Sequence, residues 1–340
     1  MRYDEAVPGR LRHGRLTIEA LEECLSQMSG NRVHVRSVRE REFGKGTSFA
    51  IRRIDVHLAS GDVLPMVFKD LNPLRQLPHA KHIRRLELAR SRREIWMYRH
   101  ILPGLALGTP RLYGYRWEPK RGNLWLLLED VGPHRLGHRR DLALYEQAAA
   151  WAGRFHQVTV GMPRDEPLIR LDRGHYQQRA RHVGALLDRV AEQDRLLVER
   201  ALARCQEYTE LVDGLPHGMV HGEFFGTNVL VRSDPANALA VIDWETAATG
   251  PQYVDLVSIT AGRWTESERM AMRRAYFEAR HSPAADWHRF NQQVDMVATL
   301  QAVNWLGFWL SSDGVHPKYA SRVSRWIREL RFTRGQDIPA

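Results

Sequence analysis

Between residues 16 and 28 the apolar positions Leu16, Ile18, Leu21, Leu25 and Met28 recur near the helical period, with Thr17 placed as an N-cap and Gly30-Asn31 as a stop. The spacing predicts one amphipathic helix. The pattern then shortens to runs of strand length at 33–38 and 49–58, separated by the glycine turn Phe43-Gly44-Lys45-Gly46-Thr47-Ser48. A third run, 64–71, follows the turn Ser60-Gly61-Asp62 and carries Lys69 near its end. Residues 79–101 predict a long helix whose apolar face is narrow at first and broadens after Ile95. Two more strands are expected at 111–117 and 124–130, across the charged turn 118–123. The chain to this point reads as five short strands with one long helix after the third.

Gly132-Pro133-His134 breaks that pattern, and helical periodicity dominates afterwards. Residues 142–158 place Leu144, Ala148, Trp151, Ala152 and Phe155 on one face, 176–210 predict one long helix or a pair, and 266–280, 287–310 and 318–332 are also helical. One segment departs from this. Val220-His221-Gly222-Glu223-Phe224-Phe225-Gly226-Thr227-Asn228-Val229-Leu230-Val231 sets a histidine, a carboxylate and a carboxamide among apolar residues, and a second carboxylate follows in Val241-Ile242-Asp243-Trp244-Glu245. With no repeat or low-complexity linker, the expected boundary lies at the break, dividing the chain into 1–131 and 132–340.

At 340 residues, 43% hydrophobic and 26% charged, the composition is that of a soluble globular protein. Fifty basic against 40 acidic residues, formally +10, favour an anionic partner. The only cysteines, Cys24 and Cys205, fit neither a disulfide framework nor a zinc spacing. The N-terminus lacks an apolar signal core, and the most apolar late run, 297–310, is interrupted by Gln301 and Asn304, so the expectation is a cytoplasmic protein without a membrane span. Arginines crowd the helix at 79–101. With no aromatic platform or zinc module beside them they read as a solvated face, and a nucleic-acid partner is not expected. Nothing in the pattern specifies an oligomeric state.

Two glycines around Lys45 would let backbone N–H groups approach a phosphate, though such glycines also serve plain hairpin turns. No G-x-x-x-x-G-K-[ST] string occurs, so this is not a Walker loop. The order of glycine hairpin, strand lysine, helix glutamate, His221-Gly222-Glu223-(x4)-Asn228 and Ile242-Asp243-Trp244-Glu245-(x9)-Asp255-Leu256 resembles the aminoglycoside phosphotransferase and choline kinase family, from residue 33 onward. The resemblance implies an α+β, two-lobed protein-kinase-like fold. Its small lobe, 1–131, would hold a five-stranded antiparallel sheet and one long helix. Its larger, mostly helical lobe, 132–340, would hold the catalytic loop and acceptor site.

It implies a phosphotransferase that uses ATP or GTP with Mg²⁺ and an alcohol group as acceptor. Asp243 would be the chief metal ligand, with Asn228 adding a neutral oxygen. Lys69 would reach the nucleotide phosphates, paired with Glu94 by the string Arg93-Glu94-Ile95-Trp96-Met97-Tyr98, Glu87 being the competing partner. Gly44, Lys45, Gly46 and Ser48 would cover the phosphates, and Glu129 and Val131 would meet the base. His221 and Asp255 would brace the loop, while Glu245 would either stand beside the metal or cap the chain.

The departure is Glu223, where the family usually has Asp to accept the substrate's proton. The extra methylene moves the carboxylate outward by roughly 1.5 Å. Either the acceptor sits further out, or the protein is a catalytically impaired, kinase-like binder. Asp286, Asp295 and Asp313 are the few acids near the aromatic residues Trp264, Tyr276, Phe277, Trp287, Trp305, Phe308 and Trp309, against Arg263, Arg269, Arg273, Arg274, Arg280 and Arg289. That balance suits a neutral or anionic small molecule, such as an antibiotic or other metabolite, better than a polycation. A peptide acceptor is the alternative.

Overall fold

The computed structural model describes residues 16–41, 49, 51–76, 87–162, 167–233, 238–280, 285–311 and 317–333. The chain divides into two compact units, one of Met1–Pro133 with Arg232–Glu245 and the other of His134–Val231 with Thr246–Ala340.

In the first unit, β1 (Val35–Arg41), β2 (Ile51–Leu58), β3 (Val63–Asp70), β4 (Leu112–Glu118) and β5 (Asn123–Glu129) form one sheet in the order β1-β2-β3-β5-β4. Every neighbouring pair is antiparallel. Ile54, Val56, Met66, Phe68, Trp125 and Leu127 alternate along their strands onto one face and close over Leu21, Cys24 and Leu25 of α1 (Ile18–Ser29). Each such side chain contributes roughly 1.5–3 kcal/mol when fully buried. The caps of α1 are those its sequence predicts. Thr17 Oγ1 accepts the Ala20 N–H at 3.2 Å, and Gly30 ends the helix at φ +72°. Gly114 lets α1 close on β4, because a Cβ there would stand 2.6 Å from that of Cys24.

The opposite face of β3 carries Lys69. Over it lies α2 (Leu88–Trp96), tied to the strand's end by the Ser91 hydroxyl, which donates to the Leu71 carbonyl at 2.6 Å. The helix then widens into a π-type turn over Met97–Ile101. The earlier part of the expected helix, 79–86, lies outside the described residues.

In the second unit, α3 (Leu142–Val158) starts at Asp141, whose carboxylate accepts the Leu144 N–H at 3.2 Å. The short β6 (Ile169–Arg170) precedes α4 (Arg173–Gly184) and α5 (Glu192–Leu211), so the 176–210 run is a pair of helices. After β7 (His217–Val220) and β8 (Val229–Val231), the chain contributes β9 (Leu239–Val241) to the first unit. It continues in β10 (Ala248–Pro251), α6 (Tyr253–Thr260), α7 (Glu266–Arg280), α8 (Trp287–Ser311) and α9 (Pro317–Phe332). β10 pairs antiparallel with β7 and parallel with β6.

Two features differ from the sequence expectation. Helix α6 is buried at all eight positions, so its sequence has no polar stripe to show a period. The small sheet of β6, β10 and β7 uses strands too short to alternate visibly. Helices α3 and α7 approach closely at Gly153, where a Cβ would fall 2.7 Å from the Tyr276 carbonyl oxygen. Trp151 stacks on Phe155 and on Phe224, with ring centroids 5.4 and 5.5 Å apart.

Candidate active site

The first unit brings Lys69, Glu94 and Asp243 together. Lys69, 6% exposed, donates through its ammonium to Glu94 Oε1 at 2.7 Å and Oε2 at 2.9 Å and also to Asp243 Oδ1. Burial alone would press its pKa down, but the two carboxylates outweigh that and hold it above the ordinary lysine value. Glu94, 1% exposed, is the partner, whereas Glu87 stands at the start of α2 and pairs with Arg90 at 3.6 Å. Asp243 follows β9 at φ +72°, a left-handed conformation uncommon outside glycine and tolerated by Asp.

Its chain is gripped on the far side. Arg93, from the same helix as Glu94, donates to the Glu245 carbonyl, and Arg90 lies 3.8 Å from the Glu245 carboxylate. Burial, with Arg90 close by, lowers the Arg93 pKa to about 10. Tyr98, one turn beyond Glu94, is buried with its hydroxyl unpaired among the described residues.

The second unit builds the loop after β7. Asp255, from the first turn of α6 and 1% exposed, accepts the His221 N–H at 2.7 Å and the Gly222 N–H at 3.0 Å. These bonds run through the main chain of Gly222 and His221. The His221 ring instead takes the Glu223 N–H on Nδ1 at 3.2 Å. Gly222 sits at φ +83°, and a Cβ there would fall 2.4 Å from the Thr246 carbonyl oxygen, so only glycine fits. The Asn228 amide donates to the Glu223 carbonyl at 3.0 Å, which turns its own oxygen the other way.

Behind Asp255 stands a residue that the motif did not name. His156 of α3, fully buried, contacts Asp255 Oδ2 through Nε2 at 3.1 Å and the Tyr276 hydroxyl through Nδ1 at 2.8 Å. Burial pushes the His156 pKa below its ordinary value despite Asp255, so the ring is neutral. The consistent tautomer donates from Nε2 to the carboxylate and accepts from Tyr276, whose hydroxyl burial keeps protonated.

Glu129 ends β5 with its carboxylate tied to Arg232, whose Nη2 lies 3.1 Å from Oε2. Glu129 and Val131 border a cavity of about 480 Å³ within the first unit. Gly44, Lys45, Gly46 and Ser48 lie outside the described residues.

The model of the phosphotransferase enzyme family matches residues 41–292, more than half of the chain. The chain belongs to the phosphotransferase enzyme family. As a phosphotransferase it is an enzyme that moves phosphate to hydroxyl groups. Among solved structures, this phosphotransferase is similar to the GDP complex of wild-type aminoglycoside 2′-phosphotransferase-IIIa, at TM-score 0.56 and 15% identity over 92% of this chain and 96% of that one. A choline/ethanolamine kinase family protein from Mesorhizobium loti gives TM-score 0.55 and 15% identity, over 88% of each chain. Macrolide 2′-phosphotransferase from Brachybacterium faecium gives TM-score 0.53 and 17% identity, over 94% of this chain and 100% of that one. A search of curated proteins finds no match. These likenesses bear out the α+β kinase-like fold.

For a phosphotransferase metal the relevant donors are hard oxygens, with phosphates supplying the remainder. Among the described residues no cluster of three or more His, Cys, Asp or Glu is gathered for an ion. The Asp243 carboxylate fits the requirement in another way: its side chain is 26% exposed, and it already accepts a cation, the Lys69 ammonium. No helix among the described residues is long and apolar enough to cross a membrane.

Proposed function

We propose that this phosphotransferase is a kinase passing the γ-phosphate of ATP or GTP to a hydroxyl of a small molecule, a neutral or anionic natural product or metabolite. The observation that carries the reading is the Lys69–Glu94–Asp243 cluster. It buries a cation between two carboxylates, one of them on a backbone held at positive φ. An ion pair buried at that cost is better explained by use than by stability.

In this reading Lys69, oriented by Glu94, meets the nucleotide phosphates, and the glycine turn with Ser48 covers them. Glu129, at the end of β5, and Val131, just after it, meet the base. Mg²⁺, when bound, neutralises charge on the phosphates; Asp243 offers it a carboxylate and Asn228 a carboxamide oxygen. The acceptor oxygen attacks the γ-phosphorus, the bond to the nucleoside diphosphate breaks, and the hydroxyl proton passes to the Glu223 carboxylate. His221, Asp255 and His156 hold the loop. Solved relatives named for GDP and ADP complexes support a nucleoside triphosphate donor of either base. Those named for complexes with hygromycin B and spectinomycin support a small acceptor.

The test is transfer of label from [γ-³²P]ATP or GTP to a metabolite and antibiotic panel, with peptides as a separate arm. Asp243→Asn is expected to abolish transfer while the circular dichroism spectrum is unchanged. An active Asp243→Asn protein would sink the mechanism, and label in peptides alone would replace the acceptor class.

A further inference from the structure

The second unit contains a cavity of about 740 Å³ that starts at the loop itself, where Phe225, Gly226 and Thr227 line it two to four residues after Glu223. Six arginines border it, Arg139, Arg140, Arg263, Arg322, Arg325 and Arg328, and no carboxylate does among the described residues. They arrive from three places: the segment before α3, the turn between α6 and α7, and one face of α9, where Arg322, Arg325 and Arg328 are spaced by three. Like charges at that helical spacing repel, so the arrangement costs the helix stability.

The neighbouring acids neutralise little of the group. Glu329 of α9 is turned to Arg269, at 2.7 and 3.1 Å, and to the Gly262 N–H at 2.9 Å. Glu268 reaches Arg140 at 3.3 Å, the one ion pair made by these six residues among the described residues. Arg325 donates to the Ala261 carbonyl at 2.7 Å and lies over the Phe225 ring, while its Nε is buried with no partner among the described residues. Burial depresses its pKa, and Arg322 and Arg269 press in the same direction against Glu329. Most of the other arginines prominent in this half of the sequence are already engaged. Arg273 bonds Asp295, Arg280 bonds Gln252, and Arg274 stacks over Trp287.

We propose, resting on the kinase reading, that this cavity is the acceptor site and that the acceptor is a hydroxylated small molecule already carrying a phosphate group. Guanidinium forks match phosphate oxygens two at a time, and six arginines that make a single ion pair among the described residues call for more charge than one carboxylate brings. Tyr145 and Trp264, edge to face at 4.7 Å, add an aromatic wall for the ring or carbon skeleton of such a molecule. A polycationic antibiotic would meet repulsion here.

Calorimetry on the full-length protein with glucose 6-phosphate, glycerol 3-phosphate and pyrophosphate, against glucose, gluconate and kanamycin, reads the site directly. Phosphorylated probes are expected to bind at least tenfold more tightly than glucose. Arg322→Gln/Arg328→Gln should lose at least tenfold of that affinity, with the KM for ATP in slow ATP hydrolysis unchanged. Arg139→Gln, lying outside any helix, should lose a smaller factor and guards against a folding defect in α9. Equal binding of charged and uncharged probes would overturn the inference, as would a double variant that folds and binds phosphorylated probes as the wild type does. A rise in the KM for ATP with no loss of probe binding would also overturn it. If the wild type neither binds nor hydrolyses ATP or GTP, the kinase reading fails, and with it the acceptor role; anion binding measured in the same samples tells that failure from a failure of the cavity to hold phosphate.

Discussion

Glu223 is the residue whose chemistry differs most from its neighbours in the loop. Its main chain is fixed on both sides, the N–H by His221 and the carbonyl by Asn228, so the extra methylene lengthens a side chain whose base is immobile. Glu223→Gln is expected to lower kcat by about 10²-fold, the lower end of general-base effects, with the nucleotide KM little changed; unchanged turnover would remove it as the base. His156 gives a pH signature instead. Its folded pKa lies below the ordinary 6.5, so the unfolded chain binds its proton first as pH falls. The associated stability is full above 6.5 and declines below it, by at most about 1.4 kcal/mol per pH unit per histidine. His175, also depressed by burial, adds to the same slope. Urea melts at pH 7, 6 and 5 should show the decline, and His156→Gln should flatten it; an equal slope in the variant would refute the assignment. Lys69, Glu94 and Asp243 were legible in the sequence because each stands in an ordered motif. His156 was not, since a lone histidine on an apolar helical face looks like any core residue, and its link to Asp255 spans 99 positions.

At the scale of elements, the strands of the sheet were legible because alternation and turn residues agree, and the long amphipathic helices because their apolar positions repeat. Where a segment is buried on every side, as α6 is, the pattern vanishes, although that helix supplies Asp255. The turn from β7 into the loop tests how narrowly an element is specified. Gly222→Ala combines positive φ with a 2.4 Å approach to Thr246, and is expected to cost on the order of 3 kcal/mol or more and abolish transfer. Thermal denaturation measures the first and the labelled-phosphate assay the second. A variant as stable as wild type would mean the loop has another conformation at hand.

Over the whole molecule, the formal charge of +10 hides an uneven economy: ion pairs absorb many arginines, while the six around the acceptor cavity stay almost unneutralised. The sequence displayed the excess but not its location, because pairing partners lie tens of residues apart. Nucleotide binding should be visible at this scale too. ATP or GTP at 100 times its dissociation constant adds about 2.7 kcal/mol to stability, and differential scanning calorimetry should record a rise in Tm that Lys69→Met removes. The chain's path has a further consequence. The first unit is written in two instalments, and the second, Arg232–Glu245, carries Asp243. During synthesis Lys69 and Glu94 therefore wait for their third partner until the ribosome has passed residue 245, by which time much of the other unit has emerged. A gene fusion with a single crossover at residue 133 would give a chimera whose lysine and aspartate come from different parents, and recombination between relatives should favour exchanges that carry the short second instalment along.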